Sequence, residues 1–145
     1  MSDNVSERIE RVFPNLKDTY YRITSPQTEK YNCIAWAAND QKNWWWPIYS
    51  GHWPQEAPRE NTVRAFIIAY GLIGYSVCDN GDLELGFEKI ALYTLNGEPS
   101  HAARQLNNGN WTSKLGIWED IEHTLEGLTG NFYGVVAQFF KRPKS

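Results

Sequence analysis

The chain has 145 residues, with 14 basic and 17 acidic side chains and a formal net charge of −3. That length suits one domain burying roughly two thirds of the surface its unfolded form exposes, and no basic run longer than Lys141-Arg142-Pro143-Lys144 offers a nucleic acid a stripe to bind. No segment reaches the ~20 apolar residues of a membrane span, and the first fifteen residues, with Asp3, Glu7, Arg8, Glu10 and Arg11, lack the apolar stretch of a secretory signal, so the expectation is a cytoplasmic protein with no membrane partner.

Ser6 to Phe13 puts Ile9, Val12 and Phe13 on one helical face until Pro14 stops it. It reads, with the rest of residues 1–30, as an arm packed on a core at 31–141. Asp18 to Ile23 is β-prone, carrying Thr19, Tyr20, Tyr21 and Ile23, and Ser25-Pro26 turns the chain. Tyr31-Asn32-Cys33-Ile34-Ala35-Trp36-Ala37-Ala38 then reads as a buried helix, since from Ile34 onward it is apolar on every side. Asn32 is a good N-cap, which puts Cys33 in the first turn, where unpaired N–H groups and the helix dipole favour a thiolate. The run Trp44-Trp45-Trp46-Pro47 and a loop with Tyr49, His52, Trp53 and Pro54 follow, too rich in Pro and Gly for a long regular element.

Asn61 is the next N-cap, and Val63, Phe66, Ile67, Tyr70 and Ile73 recur at helical spacing up to Gly74. Tyr75 to Cys78 is a short strand, and Asp79-Asn80-Gly81-Asp82 a turn with too few oxygen ligands for a calcium loop. From Lys89 the period becomes two: Ile90 and Leu92 alternate with Ala91 and Tyr93, Asn96-Gly97 turns the chain into Ser100 to Leu106, and Asn108-Gly109 turns it into Trp111 to Lys114. Glu119 to Leu128 reads as a helix with Ile121, Leu125 and Leu128 on one face, and Tyr133 to Lys141 as a last, central strand. Helices followed by a meander give an α+β domain with its N-terminal helices packed on one side of an antiparallel β-sheet.

Cys33 and Cys78 are the only cysteines, and in a reducing compartment both are free thiols. A buried cysteine is ordinarily a small core residue, and a nucleophilic one requires a base within hydrogen-bond reach. Of His52, His101 and His123, His101 is best placed, because it begins a strand after a turn and its direction is fixed by the pleat. A thiol at a helix start facing that imidazole would form a thiolate–imidazolium pair competent for acyl transfer. His123, from the following helix, is another imidazole that could serve this pair, as a neutral ring or through water. If Asn108-Gly109 is a two-residue turn, the His101 face carries Thr112 and Lys114, and Ser113 joins it only through a one-residue slip or a bulge. Lys114 and Arg104 are cations for an acidic ligand group in one reading and solvated sheet residues in the other. Trp44, Trp45, Trp46 and Trp53 either bury their rings over the core or wall a substrate cleft beside Cys33. A zinc site of Cys33, His101 and His123 lacks the close paired spacing of zinc motifs, so no metal and no cofactor is expected.

A cysteine opening a buried helix, followed by a histidine on the second strand of an antiparallel sheet, resembles the papain-like fold in its small bacterial form, the NlpC-type and CHAP-type peptidases and amidases. The strings Asn32-Cys33-Ile34-Ala35-Trp36-Ala37, Trp44-Trp45-Trp46-Pro47, His101-Ala102-Ala103-Arg104-Gln105, Trp111-Thr112-Ser113-Lys114-Leu115-Gly116 and Asp120-Ile121-Glu122-His123 are similar to a family of uncharacterised bacterial proteins. The superfamily resemblance implies a nucleophile at Cys33, a general base at His101, and an oxyanion hole made partly by the Cys33 N–H; Gln27, six residues earlier, stands where papain-like peptidases often place an oxyanion-stabilising glutamine. The expectation is a cysteine-dependent hydrolase or acyltransferase acting on an amide, thioester or isopeptide bond of a peptide or amide-containing substrate. The alternative is a noncatalytic binding module that holds a peptide, glycan or partner protein with its Trp loop.

Overall fold

The computed structural model describes residues 5–25, 32–38, 45–47, 53–115 and 118–144. Helix α1 (Val5–Val12) ends two residues before Pro14, which opens a 3-10 turn at Pro14–Lys17. The pyrrolidine ring suits the first turn of a helix and forbids the interior. Strand β1 (Tyr21–Ser25) follows, then α2 (Cys33–Ala37) and α3 (Val63–Gly71). The N-cap of α3 is Thr62, not Asn61: its hydroxyl accepts from the Ala65 N–H at 3.1 Å.

The remaining strands are β2 (Ser76–Cys78), β3 (Phe87–Leu95), β4 (Glu98–Gln105), β5 (Trp111–Lys114), β6 (Asp120–His123) and β7 (Val135–Pro143), and all seven form one antiparallel sheet in the order β1-β6-β5-β4-β3-β7-β2. The fold is α+β. Asn96 and Gly97, both at positive φ, make the tight turn from β3 to β4. β4 is the middle strand; β7, expected at the centre, lies one strand in from the edge.

Two expectations about layers are corrected. Helices cover both faces of the sheet. Ile90, Leu92, Ala102 and Phe140 pack with α2 and α3, whereas Ala91, Tyr93, Ala103, Ile121 and Leu128 pack with Ile9, Phe13 and Leu16. Alternation along β3 and β4 feeds one core on each side. Residues 5–25 are accordingly more than an arm, since they supply an edge strand and, with Ile9, Phe13 and Leu16, part of the cover of one face.

The expected helix at 119–128 is also replaced, by β6 and a 3-10 turn at Glu126–Leu128. Asp120 and Glu122 face one side and Ile121 and His123 the other, a period of two that four residues are too few to distinguish from a helical stripe. Tertiary pairing decides it, because β6 closes the gap between β5 and β1.

Candidate functional site

Cys33 opens α2, and Asn32 holds that end in place. Its Oδ1 accepts from the N–H of Ala35 at 3.1 Å and of Trp45 at 3.0 Å, and its Nδ2 donates to the Trp45 carbonyl at 2.6 Å. The cap therefore also pins the tryptophan loop to the helix. At five residues α2 is too short to carry much of the dipole expected from sequence. Burial dominates instead: it pushes the Cys33 thiol up to about 11, against the N–H groups of Ala102, Ile34 and Cys33 itself and the Lys114 charge, which favour the thiolate.

The pleat places Ala102, Arg104, Thr112, Lys114, Asp120 and Glu122 on the α2 side of the sheet, and His101, Ala103, Ser113 and His123 on the other. The β4–β5 ladder pairs only Arg104 with Thr112 and Gln105 with Trp111, so the strands part beyond it. Where they part, the Ala102 N–H is directed at the Cys33 sulfur. Cys33 packs in the core on the α2 side of the sheet, and its charge would be felt by Lys114 and by Tyr133.

On the far side of the sheet lies a chain of hydrogen bonds. His101 Nε2 meets Ser113 Oγ at 2.9 Å, Ser113 Oγ meets His123 Nε2 at 2.6 Å, and His123 Nδ1 meets the Thr124 carbonyl at 2.6 Å. All three side chains have no solvent exposure. The carbonyl can only accept, so His123 carries its proton on Nδ1, and burial pushes its pKa down to about 4, leaving a neutral ring. Its bare Nε2 accepts from the Ser113 hydroxyl, which in turn accepts from the Nε2–H of His101. Burial, and then the neighbouring His123, hold His101 well below the usual histidine range. Its lone pair is therefore on Nδ1, which is buried and has no hydrogen-bond partner among the described residues.

Neighbours fix this ring. Tyr133 stacks on it at 3.9 Å between centroids with planes 12° apart, and Tyr93 meets its edge at 5.4 Å. Ser100, the extra residue of a bulge between β3 and β4, donates to the Tyr133 carbonyl at 2.5 Å. Gly134 follows at φ +81°, where a Cβ would overlap the Thr94 carbonyl, so the chain can carry Tyr133 over the imidazole only with glycine there.

The structure thus brings His101, Ser113 and His123 into contact and sets Cys33 beside the backbone of Ala102, with no hydrogen bond between Cys33 and His101. Several expectations change. Leu106 to Asn110 is a five-residue connection closed by Leu106 N–H to the Asn110 carbonyl at 2.7 Å, not a two-residue turn at Asn108-Gly109. The register slips by one, which turns Ser113 toward His101 and Thr112 and Lys114 toward α2. The preformed thiolate–imidazolium pair is replaced by a neutral thiol and a neutral imidazole, because both groups are desolvated. Lys114 is fully buried, donating to the Trp118 carbonyl, rather than offered to solvent.

Among the described tryptophans of the loop, Trp45 and Trp53 are buried and Trp46 half-buried, packed on Phe66 and Tyr70 of α3. Their rings fill a core instead of walling a cleft. Gln27, Trp44 and His52 lie outside the described residues. An open cleft does exist on the α2 side, about 340 Å3, lined by Arg22, Ser25, Trp36, Arg104, Thr112 and Asp120 among others. Sequence reasoning missed Tyr133 as the partner of His101; the Tyr-Gly pair just before the last strand was the available signal. Among the described residues no group of three or more His, Cys, Asp or Glu side chains is placed to hold a metal ion, and no helix is long and apolar enough to cross a membrane.

A buried imidazole oriented by a hydroxyl and a second imidazole, beside a capped helix-start thiol, defines an α+β domain with a candidate thiol site. Residues 22–141 match the family described as Domain of unknown function (DUF7689), and the chain belongs to that family. No curated protein and no solved structure matches the chain.

Proposed function

We propose that this domain is a papain-like, cysteine-dependent hydrolase or acyltransferase acting on an amide, thioester or isopeptide bond, with Cys33 as nucleophile and His101 as general base. The observation that carries this reading is the bare Nδ1 of His101. A buried polar atom without a partner costs about 1–3 kcal/mol, and here the relay through Ser113, His123 and Thr124 has no tautomer that relieves it. A fixed, desolvated lone pair next to the strand residue that touches the thiol is what a general base requires. Order of elements supports the papain-like assignment: thiol at a helix start, histidine on a strand, orienting polar residue on the strand after.

Both groups rest neutral, so the proton moves as the bond forms. The Cys33 S–H gives its proton to His101 Nδ1 while sulfur attacks the acyl carbon. Backbone N–H groups around the thiol hold the charge that develops on oxygen. The tetrahedral species collapses, the leaving amine or thiol takes the proton from Nδ1, and a thioester on Cys33 remains. Water or an amine, deprotonated by Nδ1, attacks that thioester, and the thiol recovers its proton.

The test is acylation by p-nitrophenyl acetate in a Cys78→Ser background, read by mass spectrometry. Cys33 is expected to be acetylated, and His101→Ala to slow this by about 10²–10⁴-fold, the usual worth of general acid–base catalysis. The rate should hold through pH 6, because His101 protonates only well below the ordinary histidine range. Iodoacetamide, which reads the standing thiolate, should label Cys33 slowly at neutral pH. Equal acetylation with and without His101, or none in the wild type, would sink the reading and leave a noncatalytic binding module.

A further inference from the structure

Arg104 and Thr112 are a direct cross-strand pair on the α2 face, and Trp36 lines the same cleft. The Trp36 Nε1–H donates to Thr112 Oγ1 at 3.0 Å, and the Arg104 guanidinium lies over the indole ring at 5.2 Å from its centroid. This clamps the ring by edge and face. Among the described residues nothing accepts a hydrogen bond from Arg104, and its Nε is buried without a partner. Glu88, which feels its charge, is already paired with Arg142 at 3.2 Å. Thr112, 4 % exposed, spends its oxygen on Trp36 and keeps a hydroxyl proton to donate.

The acidic groups of the same cleft are committed. Glu122 accepts from Arg22 at 3.1 Å, Asn108 at 3.0 Å and Asn110 at 3.1 Å, and Asp120 from Ser25 at 2.5 Å. The cleft therefore holds a stacked guanidinium with open donor positions and, beside it, a buried hydroxyl with a spare proton. We propose that it is a carboxylate subsite, in which Arg104 and Thr112 take the free carboxylate of the substrate whose acyl carbon Cys33 attacks; this deepens the hydrolase reading and rests on it. A guanidinium matches a carboxylate with two parallel N–H donors. Asp120 and Glu122 on the cleft wall disfavour a dianionic phosphate.

Position sets the substrate class. Ala102, at the thiol, and Arg104 are successive residues on one face of β4, about 7 Å apart. Trp36 stands three residues past Cys33 on α2, about 4.5 Å along the axis. A carboxylate in the cleft thus lies about two residue lengths from the sulfur. The substrate is a short peptide-like amide or thioester with a free carboxylate at that distance from the scissile bond. At about 340 Å3 the cleft is at the small end of ligand sites, which suits a short substrate.

Calorimetric titration of the Cys33→Ala protein separates binding from chemistry. N-acetyl-glycylglycine should bind, and its C-terminal amide should bind at least tenfold more weakly. Arg104→Gln should cost at least tenfold in affinity for the acid, with the unfolding midpoint reported alongside, and Thr112→Ser, which keeps the hydroxyl, should bind like the parent protein. Equal binding of acid and amide, tighter binding of inorganic phosphate, an Arg104→Gln protein that binds unchanged, or no heat at millimolar acid would each overturn the subsite. Acid-selective binding in a chain whose wild-type Cys33 is not acylated overturns the hydrolase and keeps the subsite; acylation without acid selectivity does the reverse.

Discussion

The two faces of the sheet are built from the same alternating strands and do different things. The α2 face carries the thiol, the buried Lys114, a cleft with charged walls, and an aromatic core beneath α3. The α1 face seals three polar side chains, His101, Ser113 and His123, against Tyr93 and Tyr133, and holds the buried Lys89 farther along β3. In the proposed mechanism the base lies on the sealed face, where water is excluded and its tautomer is fixed, and the thiol on the other. The contrast also explains why burial depresses the basic groups and raises the thiol without making an ion pair.

The largest expected effect tests whether the tryptophan loop belongs to the core of the α2 face. Trp53, 5 % exposed and packed at 5.1 Å on Phe66, should destabilise the chain by about 3–5 kcal/mol when changed to Ala. Denaturant unfolding measures this. A loss below about 1 kcal/mol would return the ring to the role of a ligand wall.

Next is the pH dependence of the α1 face. His123 has its pKa pushed from 6.5 down to about 4, so below pH 6.5 the unfolded chain binds a proton that the folded chain refuses. Stability should fall between about pH 6.5 and pH 4, by about 3 kcal/mol for this one group at 1.4 kcal/mol per unit. The further depression of His101 carries the loss lower still. Thermal unfolding from pH 7 to pH 4.5 tests this, and His123→Gln should flatten the slope. An identical slope in that variant would mean that the buried imidazole does not titrate as described.

The smallest effect sharpens the relay itself. Ser113→Ala removes the hydroxyl that joins the two imidazoles and should cost about 1–3 kcal/mol, the penalty for buried polar groups left unpaired. The same variant should slow Cys33 acylation less than His101→Ala does, since the base remains and only its orientation is freed. Loss of stability with unchanged acylation would make the relay structural alone.

Much of this was legible in the chain. The N-cap at Asn32, the thiol behind it, the turn at Asn96-Gly97 and the period-two run around Ile90 and Leu92 follow from local rules, because each depends on residues within one turn or one strand. Membership of His101 and His123 in one cluster was likewise within reach. What the sequence left open was set by pairing. Five residues instead of two between β4 and β5 decided which face Ser113 occupies, since a shift of one reverses every side chain of a strand. Asp120 to His123 is too short for periodicity to speak, and only neighbours on both sides made it a strand. The tautomer of His101 was decided farthest from its own residue, by the Thr124 carbonyl at the end of a chain of bonds that no local pattern announces. Local structure is written in spacing; the direction of a proton is written in register.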